Sequence, residues 1–184
     1  MTLNKTEKES LLKTARSSIE SHFDRIGAGR TYAPQTDGAL SENRGAFVSL
    51  YMGRALRGCI GLLTSGKPLH ETVAEMAFSA AFHDTRFMPI EKTELDRLRM
   101  EITVLSPLTP MLDPEGIEIG VHGIYIVKGK NSGVLLPQVA ASHGFDKHEF
   151  LDQTCLKAGL APGAWKKGAM VFLFKAEVFS ENPK

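Results

Sequence analysis

The sequence has few cysteines and lacks the motifs of several large enzyme classes. Cys59 and Cys155 are the two cysteines among 184 residues, and they lie far apart without a paired spacing. This argues against a disulfide framework and favours a reducing compartment. The sequence contains no phosphate-binding loop, dinucleotide-binding glycine motif, zinc-protease motif or serine-hydrolase motif. It therefore gives no support for nucleotide-dependent or serine-hydrolase chemistry.

Neither sign of charge is in excess. The chain has 22 Lys and Arg against 21 Asp and Glu, a formal net charge of +1. Broad affinity for nucleic acid or for an anionic membrane is therefore not expected. No apolar run approaches the length of a membrane span, and the N-terminus lacks the apolar stretch of a signal peptide. We expect a cytoplasmic protein without a membrane partner.

The histidines do not form a local metal-binding pattern. His143 and His148 are five residues apart with Cys155 beyond them, which matches zinc-ligand spacing poorly. The sequence does not exclude a metal site assembled from residues that are distant in the chain. We predict no metal ligands from this spacing, and the sequence identifies no cofactor.

Helical and strand patterns alternate without a regular βαβ repeat. Hydrophobic periodicity predicts helices over about 6–26, 68–82 and 146–158, the first starting at a Thr6–Glu9 capping box. Strands are predicted over 46–51, 56–62, 99–105, 121–128, 133–136 and 170–179. The segment 27–45 is rich in Gly, Pro, Ser, Asn and Asp and is predicted to be a loop. We predict one α+β domain over 1–184, with a mixed, mostly antiparallel sheet and packed helices.

The stretch Leu56–Gly61, read as LRGCIG, contains a guanidinium, a thiol and two glycines. Side chains alternate along a strand, so Arg57 and Cys59 would be same-face neighbours with backbones roughly 6.6 Å apart. A positive charge at that distance favours the thiolate, so we expect Cys59 to react faster than the core residue Cys155. Gly58 would let a backbone or ligand approach. Alternatively, Cys59 is buried and the glycines mark a bulge.

Two further polar groups interrupt the apolar pattern. His83, Asp84 and Arg86 follow the second predicted helix, where the macrodipole favours a protonated histidine. They form either a helix cap with a surface Asp84–Arg86 pair, or part of a functional site. Glu101 lies in a predicted strand, where it is exposed at an edge or forms an ion pair with Arg57 or Arg86.

Five segments resemble, in order, the AMMECR domain family, whose bacterial and archaeal members are called AmmeMemoRadiSam system protein A. The resemblance runs from about Leu11 to Phe179, and LRGCIG is its most specific part. It implies a single compact domain of two unequal lobes. The five segments are Gly45–Leu62, Ala81–Phe87, Met100–Pro107, Val121–Ile124 and Leu136–Val139.

The resemblance implies no established reaction, so two hypotheses are kept. In the first, the chain is an enzyme or enzyme component in which Cys59 acts as a nucleophile, a redox thiol or a ligand. Arg57 supports it, together with His83 or Glu101, in a pathway shared with Memo-like and radical SAM proteins. In the second, it is a binding or scaffold module whose arginines and glycine backbone recognise an anionic ligand, peptide or RNA.

We expect the LRGCIG strand, the turn after the second helix and the Glu101 strand to converge on one concave site. A lone histidine is more often structural than ligand-binding. His122 is kept as a ligand-binding candidate beside that structural alternative. The candidate ligand-binding residues are Gly58, Gly61, Asp84, Arg86, His122 and Gln138.

Overall fold

The computed structural model describes residues 2–24 and 37–181, and the chain divides into two compact units. Unit 1 comprises Met1–Leu105 and Glu177–Lys184, and unit 2 comprises Ser106–Ala176. Of the predicted 27–45 loop, residues 27–36 lie outside the described residues. The remainder contains a short 3-10 helix, Gly38–Ser41. Both units combine helices with antiparallel strands, which confirms the α+β class.

Unit 1 packs two helices on an antiparallel sheet. Strand β1 is central, with β2 on one side and β3 on the other. The last four residues of β7 also belong to this unit. The elements are α1 (Lys5–Asp24), β1 (Ala46–Met52), β2 (Ala55–Leu62), α2 (Leu69–Phe82), β3 (Leu98–Leu105) and β7 (Met170–Ser180).

Strand alternation separates a buried face of the unit 1 sheet from a half-buried face. Val48 and Leu50 of β1 are fully buried, as are Met100 and Ile102 of β3, and they share one core with residues of both helices. The residues between them in each strand keep partial exposure. The helices therefore cover one face of this sheet, and the polar candidates of β1 and β3 lie on the other.

The cap of the first helix lies two residues before the predicted one. Asn4 Oδ1 accepts a hydrogen bond from the Glu7 amide at 2.9 Å, and Glu7 Oε2 accepts one from the Asn4 amide at 2.7 Å. This reciprocal pair replaces the predicted Thr6–Glu9 box. Asn is among the strongest N-cap residues, so the helix starts at Lys5.

Unit 2 is an antiparallel sheet with two helices. Its strands are ordered β6, β5, β7, β4, where β7 contributes its residues up to 176. The Asp146–Glu149 capping box forms as predicted, and Cys155 lies in the core with no exposed surface. The elements are β4 (Thr109–Pro110), β5 (His122–Lys128), β6 (Asn131–Leu135), α3 (Pro137–His143) and α4 (Lys147–Lys157).

The hydrophobic pattern does not predict helix α3, because seven residues are too few to show a helical period. Pro137 stands at its start, where a missing amide costs nothing, and Gly144 ends it with φ of 67°. Among residues 2–24 and 37–181, no helix is long and apolar enough to cross a membrane.

Gly58 marks the closest approach of α2 to β2. A Cβ built on Gly58 would lie 2.1 Å from the carbonyl oxygen of Ala80, a backbone atom that cannot turn aside. Gly66, in the loop before α2, has no neighbouring atom within 4 Å of such a Cβ. Neither glycine has a positive φ, so the two positions differ only in the space available for a side chain.

We expect Gly58→Ala to lower the free energy of unfolding by about 1–3 kcal/mol or more, the usual cost of overpacking. Gly66→Ala is the matched control and should change it by less than about 0.5 kcal/mol, as surface substitutions do. Urea unfolding of the full chain measures both values. Equal stabilities of the two variants would show that α2 does not rest on the Gly58 backbone.

Candidate functional site

A row of polar residues crosses the half-buried face of the unit 1 sheet. The strand register places Ser49 opposite Cys59 on one side and opposite Glu101 on the other. Ser49 Oγ donates a hydrogen bond to Cys59 Sγ at 3.3 Å. Adjacent strands are about 4.8 Å apart, so the backbones of Cys59 and Glu101 are separated by roughly 10 Å. Cys59 is half-buried, so the alternative that it is a core residue is wrong.

Tyr51 and Arg99 extend this row along the strands. They are register partners, and the Arg99 guanidinium lies 4.7 Å from the centre of the Tyr51 ring. Burial raises the pKa of Tyr51, and the Glu101 carboxylate raises it further, with a smaller contribution from Cys59. The phenol therefore stays protonated at neutral pH and can donate a hydrogen bond. We call Ser49, Tyr51, Cys59, Arg99 and Glu101 the Cys59 cluster.

Sequence reasoning did not select Ser49, Tyr51 or Arg99. The available signal was the alternation of β1 and β3, which separates these residues from the buried hydrophobic positions beside them. Applied to all three strands rather than to β2 alone, it would have placed them beside Cys59.

Asp84 and Arg86 bind the backbone of Cys59 at the outer edge of β2. Asp84 Oδ2 accepts a hydrogen bond from the Cys59 amide at 2.8 Å, and Arg86 Nη2 donates one to the Cys59 carbonyl at 3.0 Å. The two side chains also bind each other, with distances of 2.6 and 2.9 Å. We call this pair the Asp84–Arg86 clamp. It supplies the partners that a further strand would otherwise give.

The clamp depends on an ionised and buried carboxylate. Asp84 is 6% exposed, yet the Arg86 guanidinium and the Cys59 and Arg86 amides hold its pKa well below the usual range. The predicted Asp84–Arg86 pair is therefore present, but it is an edge clamp on Cys59. The turn after α2 and the LRGCIG strand therefore meet at the backbone of Cys59.

The regular alternation that predicts Arg57 as a same-face neighbour of Cys59 is interrupted at Arg57. The register passes from Leu50–Gly58 directly to Tyr51–Leu56, so Arg57 has no partner in β1. This is a β-bulge, the alternative that the glycine pattern allowed, and a bulge redirects the side chain at its centre.

Arg57 instead forms a bidentate ion pair outside the sheet. Its Nε and Nη2 donate to the two carboxylate oxygens of Glu94 at 2.9 and 3.0 Å. The guanidinium also donates to the carbonyls of Met88 and Pro89. This pairing lowers the pKa of Glu94. The positive charge expected to act on the Cys59 thiol is therefore committed to a carboxylate.

The predicted ion pair of Glu101 with Arg57 or Arg86 is wrong. Arg57 is engaged by Glu94 and Arg86 by Asp84, so neither pairs with it. Glu101 Oε2 instead lies 3.9 Å from Arg99 Nη1, with both side chains about 30% exposed. This distance is long for an ion pair, and Glu101 keeps contact with solvent.

The remaining unit 1 candidates make packing contacts. The backbone that approaches Gly58 is that of α2, and a Cβ on Gly61 would lie 2.2 Å from the Phe47 ring. His83 ends α2, with its amide bound to the Ser79 carbonyl, and its exposed ring meets Phe78 edge-on at 5.4 Å. The helix-cap alternative for His83 is the one observed.

His122 and Gln138 belong to unit 2. His122 Nδ1 accepts a hydrogen bond from the Glu118 amide at 3.1 Å, and Gln138 is exposed on α3. In the described part of the chain, no three His, Cys, Asp or Glu residues are grouped so that they could hold a metal ion.

We expect Asp84→Asn to lower the free energy of unfolding at pH 7 by about 1.5–3 kcal/mol, the range for hydrogen bonds to a charged group. Because folding depresses the pKa of Asp84, its stabilisation is present above about pH 4 and is lost as pH falls below that. The variant should therefore lose less stability than the wild type as the pH falls from about 5 to below about 4, the usual pKa of an aspartate.

Denaturant unfolding across this pH range measures the effect. Asp96→Asn, an exposed aspartate of the same unit, is the matched control and should keep the wild-type profile. The clamp would be contradicted if Asp84→Asn retained the full acid-dependent loss of stability.

The chain is similar over its whole length to archaeal proteins. It is 40% identical to a protein of Methanosarcina acetivorans, covering 98% of this chain and 94% of that protein. It is 41% identical to a protein of Methanopyrus kandleri, covering 96% and 89% of the two chains.

A solved structure shares the fold. The crystal structure of an uncharacterised protein from Pyrococcus horikoshii has a TM-score of 0.84 and 36% sequence identity, and the match covers 98% of this chain and 94% of that chain. The AMMECR1 family matches residues 12–179, which include the Cys59 cluster, the Asp84–Arg86 clamp and His122. The chain is therefore a member of the AMMECR1 family.

Proposed function

We propose that the chain is an enzyme or enzyme component that acts through the thiol of Cys59. One observation carries the proposal: a half-buried thiol, a hydroxyl that donates to it and a solvent-accessible carboxylate lie in one row across three strands. A strand holds these groups more rigidly than a loop would. The other strand face is filled by the hydrophobic core, so polar residues on this one are not required for packing.

The Cys59 cluster supplies the parts that nucleophilic thiol chemistry needs. The thiolate is the attacking species, and the Ser49 hydroxyl at 3.3 Å can stabilise negative charge on the sulfur. The proton released by the thiol passes to solvent, or through solvent to Glu101, because the backbones of Cys59 and Glu101 are roughly 10 Å apart. The Tyr51 hydroxyl can donate a hydrogen bond to an oxygen of the bound substrate.

The clamp positions the nucleophile. With both backbone groups of Cys59 bound by Asp84 and Arg86, the residue at the sheet edge cannot move without breaking charge-assisted hydrogen bonds. In this account Asp84 and Arg86 are positioning residues. Arg57 is also a positioning residue and not a reacting group, because Glu94 and two backbone carbonyls bind its guanidinium.

The proposal includes a modification pathway and a cellular location for the protein. The resemblance to AmmeMemoRadiSam system protein A supports a role beside Memo-like and radical SAM proteins in a shared modification pathway. Two free cysteines support a cytoplasmic location, where thiols stay reduced.

A binding or scaffold module is the second candidate. It requires cationic groups that are free to meet an anionic ligand, peptide or RNA. Arg86 is well exposed, with 58% of its side chain accessible, but it shares its charge with Asp84. Arg57 is similarly paired with Glu94. The geometry therefore gives the enzyme proposal the stronger support.

We expect an electrophile such as iodoacetamide to label Cys59 at least about tenfold faster than Cys155 in native protein, because buried structural cysteines are inert. Cys155 is fully buried, and that burial raises the pKa of its thiol. Ser49→Ala should slow the labelling of Cys59 by roughly threefold to tenfold, the equivalent of one hydrogen bond.

Rates are read by mass spectrometry of mapped peptides between neutral and alkaline pH. Ser41→Ala, which removes a hydroxyl bound to the Gly38 carbonyl, is the control and should leave the rate unchanged. Arg57→Ala should also leave it nearly unchanged. Labelling of Cys59 as slow as that of Cys155 would overturn the proposal and favour the binding module.

A further inference from the structure

Unit 2 contains a pocket that the Cys59 chemistry does not use. It has a volume of about 400 Å³, at the small end of the range for ligand sites. Its wall combines hydrophobic and hydrogen-bonding residues of the β4, β5 and β7 region. The residues are Ser106, Pro107, Thr109, His122, Leu173, Phe174 and Lys175.

The strand register brings the polar members to one side of the sheet. His122 of β5 is the register partner of Lys175 in β7, and Thr109 of β4 is the partner of Leu173. Register partners share a face, and Leu173 and Lys175 are two residues apart, so they share it too. Leu173 packs against the unit 2 core, and the polar residues continue this face beyond the core.

Three hydrogen-bond donors of this pocket remain available. The Glu118 amide donates to His122 Nδ1, so a neutral His122 ring carries its proton on Nε2. Within the described part of the chain, the side chains of Lys175 and Thr109 make no hydrogen bond or ion pair. Both are exposed. Ser106 is different, because its hydroxyl accepts from the Lys175 amide and donates to the Pro107 carbonyl.

We propose that this pocket binds a small organic monocarboxylate. The Lys175 ammonium, the His122 Nε2–H and the Thr109 hydroxyl supply donors for its two oxygens. Pro107 and Leu173 contact its hydrocarbon part. One cation and two neutral donors match a single negative charge, whereas phosphate sites more often combine several cations or backbone amides.

The test is a titration of the isotopically labelled full chain with benzoate, acetate and inorganic phosphate, followed by NMR. We expect benzoate to shift the signals of residues 106–109, 122–124 and 173–175. Acetate should bind more weakly because it lacks the hydrophobic part, and phosphate should bind more weakly because of its second charge.

Lys175→Met removes the ammonium but keeps a long apolar stem, and we expect it to weaken benzoate binding roughly tenfold or more. Thr109→Val removes one hydroxyl at nearly constant shape and should weaken binding by a few-fold. Lys130→Met, at an exposed lysine in the β5–β6 turn, is the matched control and should bind as the wild type does.

Benzoate shifts that are absent, that lie elsewhere or that persist unchanged in Lys175→Met would overturn the assignment of this site. Phosphate binding as tight as benzoate binding would overturn the monocarboxylate as the ligand class. None of these outcomes depends on the reactivity of Cys59, so the two proposals fail separately.

Discussion

The unit 1 sheet ends at β2, and the structure depends on how the backbone of Cys59 is satisfied there. An edge strand leaves amides and carbonyls without partners, and Asp84 and Arg86 bind one of each. Asp84 can do so while buried because Arg86 keeps it ionised. One residue away, Gly58 lets α2 approach the same strand closely. The helix, its following turn and the cysteine are thereby fixed together.

The two faces of the unit 1 sheet carry different kinds of residue. On one side of the unit 1 sheet, hydrophobic residues and two helices stabilise the strands. On the other side, the Cys59 cluster keeps a thiol, two hydroxyls and a carboxylate partly accessible. The clamp acts on the backbone at the edge and does not bind the sulfur, which accepts a hydrogen bond from Ser49. Substitutions of the clamp and of the cluster should therefore have different effects, the first on stability and the second on reactivity.

Sequence patterns predicted the parts of the site that follow from alternation and local capping. They placed the helix before His83, the strand pair that carries Cys59 and the strand that carries Glu101. They predicted the Asp84–Arg86 pair but not the partners of Arg57 and Glu101, because charge alone allows many pairings. Glu94, which binds Arg57, is 37 residues away in sequence. The bulge at Arg57 interrupts the strand register at a single residue, and periodicity over six residues does not predict such an interruption.

The clamp on Cys59 is tested most directly by hydrogen exchange of the Cys59 amide in the intact protein. The account predicts that this edge amide exchanges as slowly as the amides in the β1–β3 ladder, since it is bound to a buried carboxylate at 2.8 Å. In Asp84→Asn its protection should fall while the β1–β3 amides keep theirs. A Cys59 amide that exchanges as fast as an exposed loop in the wild-type protein would contradict the account.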